Sequence, residues 1–198
     1  MYFIVLVLLL TGAAQAQPPA PPQPPQPPQP PILGKHWGGG KLSPEDDLKM
    51  TAARSLMEST PDRAIPLVEK LLARTDSPGV QHQALDILTN SQHPKAREIT
   101  TRAAKGEFGR DLQIRALRRL GGESTPENLQ LLESTYKSAT DPAVKSAVLS
   151  AYMAAGDAQR LIAIAKSDSN TDLRRRAVQY LSHMKNPEAT NYLVELLK

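Results

Sequence analysis

The sequence predicts an all-α fold, a solenoid of about five stacked two-helix repeats preceded by a disordered Pro-rich segment. Three observations carry the prediction. An apolar i, i+4, i+8 line recurs with its leading residues at 48, 80, 112, 144 and 173, so the steps are 32, 32, 32 and 29. Six capping side chains stand directly before a proline. No stretch from Leu42 onward alternates apolar and polar residues with the period of two that a strand requires.

The recurring line is Leu48–Ala52–Leu56, then Val80–Ala84–Leu88, Leu112–Ala116–Leu120, Val144–Val148–Tyr152 and Leu173–Ala177–Leu181. Such spacing is one face of an α-helix. A second line follows in each unit: Ala64–Leu67–Val68–Leu71, Ala96–Ile99–Ala103, Leu131–Leu132–Tyr136, Ala158–Leu161–Ile162–Ala165 and Ala189–Tyr192–Leu193–Leu196. Each unit is therefore two amphipathic helices, A and B, with units near 42–75, 76–108, 109–139, 140–168 and 169–198. One unit alone cannot cover both apolar faces. Stacked neighbours can, which is why a fixed period near 30 predicts a solenoid. The alanines at mid-helix allow adjacent A helices to approach closely.

Ser43, Thr60, Ser77, Thr125, Asp141 and Asn186 each precede a proline. A side-chain oxygen at the N-cap accepts an orphan N–H, and proline at the first helical position has none to lose. Gly121–Gly122 and Gly156 stand where A helices should stop. The 157 residues from Leu42 to Lys198 are enough to bury about two-thirds of their unfolded surface without metal or disulfide.

The chain ahead of the repeats is of another kind. Tyr2–Leu10 is apolar, and Ala14-Gln15-Ala16 has the small-x-small pattern of a signal-peptidase site, so residues 1–16 read as a signal peptide cleaved after Ala16. No Lys or Arg precedes the apolar run, and the run is shorter than the roughly 20 residues of a membrane span. The expectation is a secreted or periplasmic protein with no transmembrane helix after cleavage. Residues 17–41 are a Pro/Gln/Gly-rich disordered linker. Pro18–Pro31 reads PPAPPQPPQPPQPP, a stiff polyproline II spacer reaching on the order of 40 Å. Trp37, the only tryptophan, lies in the glycine-rich stretch after it.

Composition narrows the function classes. With no cysteine there is no disulfide, thiolate metal site or cysteine nucleophile. A formal net charge of +4 suits solubility and is too small to point to nucleic acid. His36, His82, His93 and His183 are scattered, without an HExxH-like motif. No phosphate-binding loop or nucleophile elbow is present. The expectation is a non-enzyme with no cofactor and no metal.

The segments Ala64–Leu88, Asp141–Ser167 and Asp172–Leu197 resemble the B-to-A and A-to-B junctions of HEAT-repeat proteins. The resemblance spans residues 42–198, and it extends to a secreted bacterial kind in which such repeats follow a signal peptide. Asp141-Pro142-Ala143-Val144-Lys145 comes nearest to the family's helix-A start; Gln81 and Gln113 replace its basic residue and interrupt an Asp–Arg ladder. A HEAT array implies a right-handed superhelix with B helices on the concave face. It also implies a scaffold or adaptor that binds a protein or peptide partner, an expectation that rests on analogy of fold.

If such a surface exists, the polar side of the B helices carries it. The candidates are Lys95, Glu98 and Arg102, central on one stripe, with Gln130 and Arg160. An alternative is contact with an anionic envelope polymer or lipid surface through two arginine clusters: Arg115, Arg118 and Arg119, and Arg174, Arg175 and Arg176. The helical sequence runs to Lys198 directly after the fifth B helix, with Val194 and Leu197 set to face a further neighbour. That predicts self-association through the uncapped last repeat, a covering partner, or a longer array.

Overall fold

The computed structural model describes residues 42–74 and 76–198. The signal-peptide, linker and Trp37 assignments, and His36, lie outside them. Among the described residues there are ten helices and no strand: α1 Pro44–Ser59, α2 Pro61–Leu72, α3 Pro78–Thr89, α4 Pro94–Ala104, α5 Arg110–Leu120, α6 Pro126–Ser138, α7 Pro142–Ala154, α8 Ala158–Ser167, α9 Thr171–His183 and α10 Pro187–Leu196. Odd-numbered helices are the A layer and even-numbered helices the B layer.

The caps follow from the sequence, with differences. Ser43, Thr125, Asp141 and Asn186 accept amide N–H groups from the first turn of their helices. Thr60 and Ser77 occupy N-cap positions without a side-chain bond. His93 caps α4 through Nδ1, and Asp157 and Asn170 cap α8 and α9. Gly156 ends α7 at φ +74°, with its own N–H on Met153 O and that of Asp157 on Tyr152 O. This is a Schellman closure, in which only glycine avoids a Cβ penalty. Gly106 closes α4 in the same way. Gly121 is the C-cap at which α5 stops, as expected, but without the left-handed turn of Gly156. It has ordinary helical angles, and its importance lies in packing: a Cβ there would stand 2.3 Å from Ala151 O.

The A helices form one continuous row, α1–α3–α5–α7–α9, and each B helix α2, α4, α6 and α8 packs against the following A helix. Close backbone approach between neighbouring B helices is confined to α2–α4 and α8–α10. A single core runs along the array, with Val80, Ala84, Leu88, Ala116, Val148, Ala177 and Leu181 among its buried residues.

The leading line behaves differently in the first repeat. Val80, Leu112, Val144 and Leu173 are at most 4 % exposed, whereas Leu48 is 71 % exposed. Ala52 and Leu56 are exposed too, and the core of α1 is Met50 and Ala53 instead. The reason is positional. This line packs each A helix against the repeat before it, and no repeat precedes α1 among the described residues.

The interrupted ladder is replaced by another device. Gln81 Nε2 donates to Leu72 O at 3.1 Å, Gln113 Nε2 to Ala104 O at 3.2 Å, and Arg174 Nε to Ala165 O at 3.0 Å. In each case the residue directly after the leading residue of an A line reaches nine positions back to an orphan carbonyl of the preceding B helix. In the fourth repeat Lys145 instead lies over the ring of Tyr136, 4.9 Å from its centroid. The Tyr136 hydroxyl donates to Asp168 at 2.6 Å, tying α6 to the end of α8.

Candidate functional site

The B helices present their apolar lines inward and a polar stripe outward, and hydrogen-bond geometry sorts the stripe into two sets. Lys95 Nζ lies 3.2 Å from Asp62, bridging α4 to α2. Arg102 Nη1 lies 2.6 Å from Glu69 on α2, its Nε donates to Glu107 at 2.8 Å, and its guanidinium covers the Phe108 ring. Hydrogen bonding by Arg102 holds the Glu107 carboxyl below its usual range. Arg160 bonds its own N-cap, Asp157, lies 3.3 Å from Glu133 on α6, and stacks on Tyr152. The Glu133 carboxyl is held low by Lys137 and then by Arg160. Lys95, Arg102 and Arg160 are thus ties within the array. Glu98 and Gln130 are exposed and make no side-chain hydrogen bond among the described residues.

The arginine clusters divide similarly. Arg115 and Arg119 share Asp86, at 2.5 and 3.1 Å. Arg118 is exposed and has no hydrogen-bond or ion-pair partner among the described residues. Arg174 holds the end of α8, Arg175 bonds Asp172 at 2.5 Å, and Arg176 donates to Ser146 on α7 at 2.7 Å.

The array opens between the second and third repeats. Gly121 draws the end of α5 against α7, and α6 makes its close contacts with α7. A cleft of about 280 Å³ remains between α4 and the start of α6. Leu88 and Leu120 supply its apolar lining. Thr89, Thr100, Thr101 and Thr125 supply hydroxyls, and Arg97 and Glu127 supply charge. Thr100 is buried and bonds back to Ala96 O, whereas Thr101 and Glu127 make no side-chain hydrogen bond among the described residues. Arg97 bonds Gln92 and has no carboxylate in ion-pair range among the described residues. Glu98 and Gln130 lie one and three positions along the chain from Arg97 and Glu127. Sequence reasoning did not single out Arg97 or Thr101. The available signal was Thr100, a polar residue where Val68, Leu132, Ile162 and Leu193 stand in the other repeats.

Among the described residues no group of three His, Asp or Glu side chains is arranged to hold a metal ion. No helix among them is long and apolar enough to cross a membrane. No protein-family model matches the chain, and no curated protein matches it.

Proposed function

We propose that the chain is an exported, HEAT-like interaction scaffold whose cleft between α4 and α6 takes an extended segment of a protein partner. One observation carries this reading. Of the B-side candidates, Lys95, Arg102 and Arg160 are consumed in ties between repeats, whereas Thr101, Glu127, Glu98 and Gln130 make no side-chain hydrogen bond among the described residues and lie at or beside a cleft that combines apolar lining with hydroxyls of both neighbouring repeats. An extended chain needs that combination: donors and acceptors for its backbone and an apolar wall for alternate side chains.

The reading that employs the arginine clusters on an anionic polymer or lipid surface draws less support. Five of its six arginines already bond Asp86, Ala165, Asp172 or Ser146.

The test is selection of displayed random peptides on the full chain, followed by Thr101→Trp with Glu127→Arg. Enriched peptides should bind the double variant at least about tenfold more weakly, as expected for loss of a central contact, while its helical circular dichroism is unchanged. Equal binding by the variant, or no enrichment, would defeat the proposal.

A further inference from the structure

We infer that α6 is a lid on the cleft. Its second half is pinned to α7 and α8, and its first half swings toward and away from α4, closed by a pairing of Glu127 with Arg97. The inference rests on the cleft reading for what the lid encloses, and on packing and charge for the motion.

α6 is held unlike the other interior B helices. Leu132 and Thr135 alone of its 13 residues are buried, against four of 12 in α2, five of 11 in α4 and four of 10 in α8. The other B helices pack closely on the A helix before them, and α6 hardly on α5. Gly121 lays the end of α5 on Ala151 of α7 instead. α6 also stands off both neighbouring B helices. An element with so little buried surface shifts at small cost in free energy.

The two halves of α6 differ. In the second half the Tyr136 hydroxyl donates to Asp168 at 2.6 Å, and Lys145 Nζ stands 4.9 Å from the centre of the Tyr136 ring. Arg160 of α8 lies 3.3 Å from Glu133. From Pro126 to Leu131 no residue is buried, with Leu129 and Leu131 half-buried. The side-chain bonds there are local: Asn128 N donates to Thr125 Oγ1, and Asn128 Nδ2 donates to Glu123 O. The side chains of the loop leading into α6 reach other segments at the limit of hydrogen-bond length. Gln92 Nε2 is 3.5 Å from Glu123, and Ser124 Oγ is 3.4 Å from Ala155 O.

A helix pinned at one half and loose at the other moves as a lever. Leu132 and Tyr136, one turn apart, are the pivot. The loose end carries Thr125, Glu127 and Asn128, which form one wall of the cleft. Arg97, Thr100 and Thr101 form the wall on α4. Glu127 and Arg97 are opposite charges on opposite walls, and neither has an ion-pair partner among the described residues. A swing of α6 toward α4 brings them together and narrows the cleft.

The chain has no cysteine, so spin labels can be placed in pairs on the full chain. Labels on Glu98→Cys and Gln130→Cys, exposed on α4 and α6, should give a distance distribution at least about twice as wide as Lys70→Cys with Glu98→Cys, across α2 and α4. Glu127→Arg should remove its short-distance part, and adding Arg97→Glu should restore it. Ser138→Cys with Ser167→Cys, at the pinned end, should give a narrow distribution that Tyr136→Phe widens. A peptide enriched on the cleft should draw the Glu98–Gln130 distribution to its short distances. Absence of any binding peptide would defeat the cleft reading alone, and the widths in the free chain decide the lid. Equal widths for the Glu98–Gln130 and Lys70–Glu98 pairs would overturn the inference. So would a short-distance population indifferent to the charge exchange.

Discussion

Gly121 and Ala151 meet backbone to backbone: a Cβ on Gly121 would stand 2.3 Å from the Ala151 carbonyl oxygen and 2.6 Å from its Cα. Nothing flexible lies between α5 and α7 there, so an added methyl must push one helix off the other. Gly121→Ala should destabilise the protein by about 2 kcal/mol or more, the range of overpacked cores. Gly122→Ala, whose nearest neighbour is 3.4 Å away, should change it by less than about 0.5 kcal/mol. Urea denaturation of the pair decides it, and equal midpoints would show that the helices can separate freely.

Gly156 isolates the other way a glycine matters. Its Cβ would meet nothing within 4 Å, but its φ is +74°. Gly156→Ala should therefore cost about 1 kcal/mol through backbone strain alone. Gly156→Asn should recover part of it, because asparagine tolerates the left-handed region. A thermal melt in which the two variants coincide with wild type would contradict the Schellman closure.

Ala116 is fully buried on the A seam. Ala116→Glu would place a carboxylate there with no partner, at a cost of several kcal/mol. It should abolish the cooperative thermal transition, and an unchanged melting temperature would refute the seam. The exposed equivalent, Ala52, is the control: Ala52→Glu should leave the melting temperature of the monomer nearly unchanged.

His82 gives the protein a pH dependence near neutrality. Burial, then the nearby Arg115, lowers its pKa below the ordinary 6.5, against the weaker opposing pull of Asp111 and Asp86, and its Nδ1 has no hydrogen-bond partner among the described residues. The folded state thus binds fewer protons than the unfolded state just below pH 6.5. Stability from this group is full above pH 6.5 and is lost as pH falls from there toward the lowered value. The denaturation midpoint should fall between pH 7.5 and pH 5.5, and His82→Gln should flatten that slope. An identical slope in the variant would assign it to other groups.

Arg102 and Glu98 lie one turn apart on α4 with different work. Arg102 ties α4 to Glu69 of α2 and to Glu107, whereas Glu98 is exposed and unbonded among the described residues. Arg102→Met should lower the melting temperature, and Glu98→Ala should leave it in place. The reverse order would remove Arg102 from the structural set.

The helices were legible because their signals are local. Ser43, Thr125, Asp141 and Asn186 before proline start helices whatever surrounds them, and the i, i+4, i+8 lines fix which side must be covered. The stripe of Lys95, Glu98, Arg102, Gln130 and Arg160 was legible as a stripe, but not as two sets. Whether a lysine is free or spent depends on Asp62, 33 residues away, and on the distance between two B helices. No local pattern encodes that distance.

The all-α repeat architecture, its helix starts and its seam are written in the residue pattern, because hydrogen bonding and side-chain periodicity act within one or two turns. That Gly121 is a packing residue, that Leu48–Ala52–Leu56 is exposed among the described residues, and that a cleft opens beside α6 emerge from the stacking of the repeats. Those outcomes depend on how closely neighbouring repeats stack, a balance of side-chain volumes and ion pairs contributed by segments about thirty residues apart.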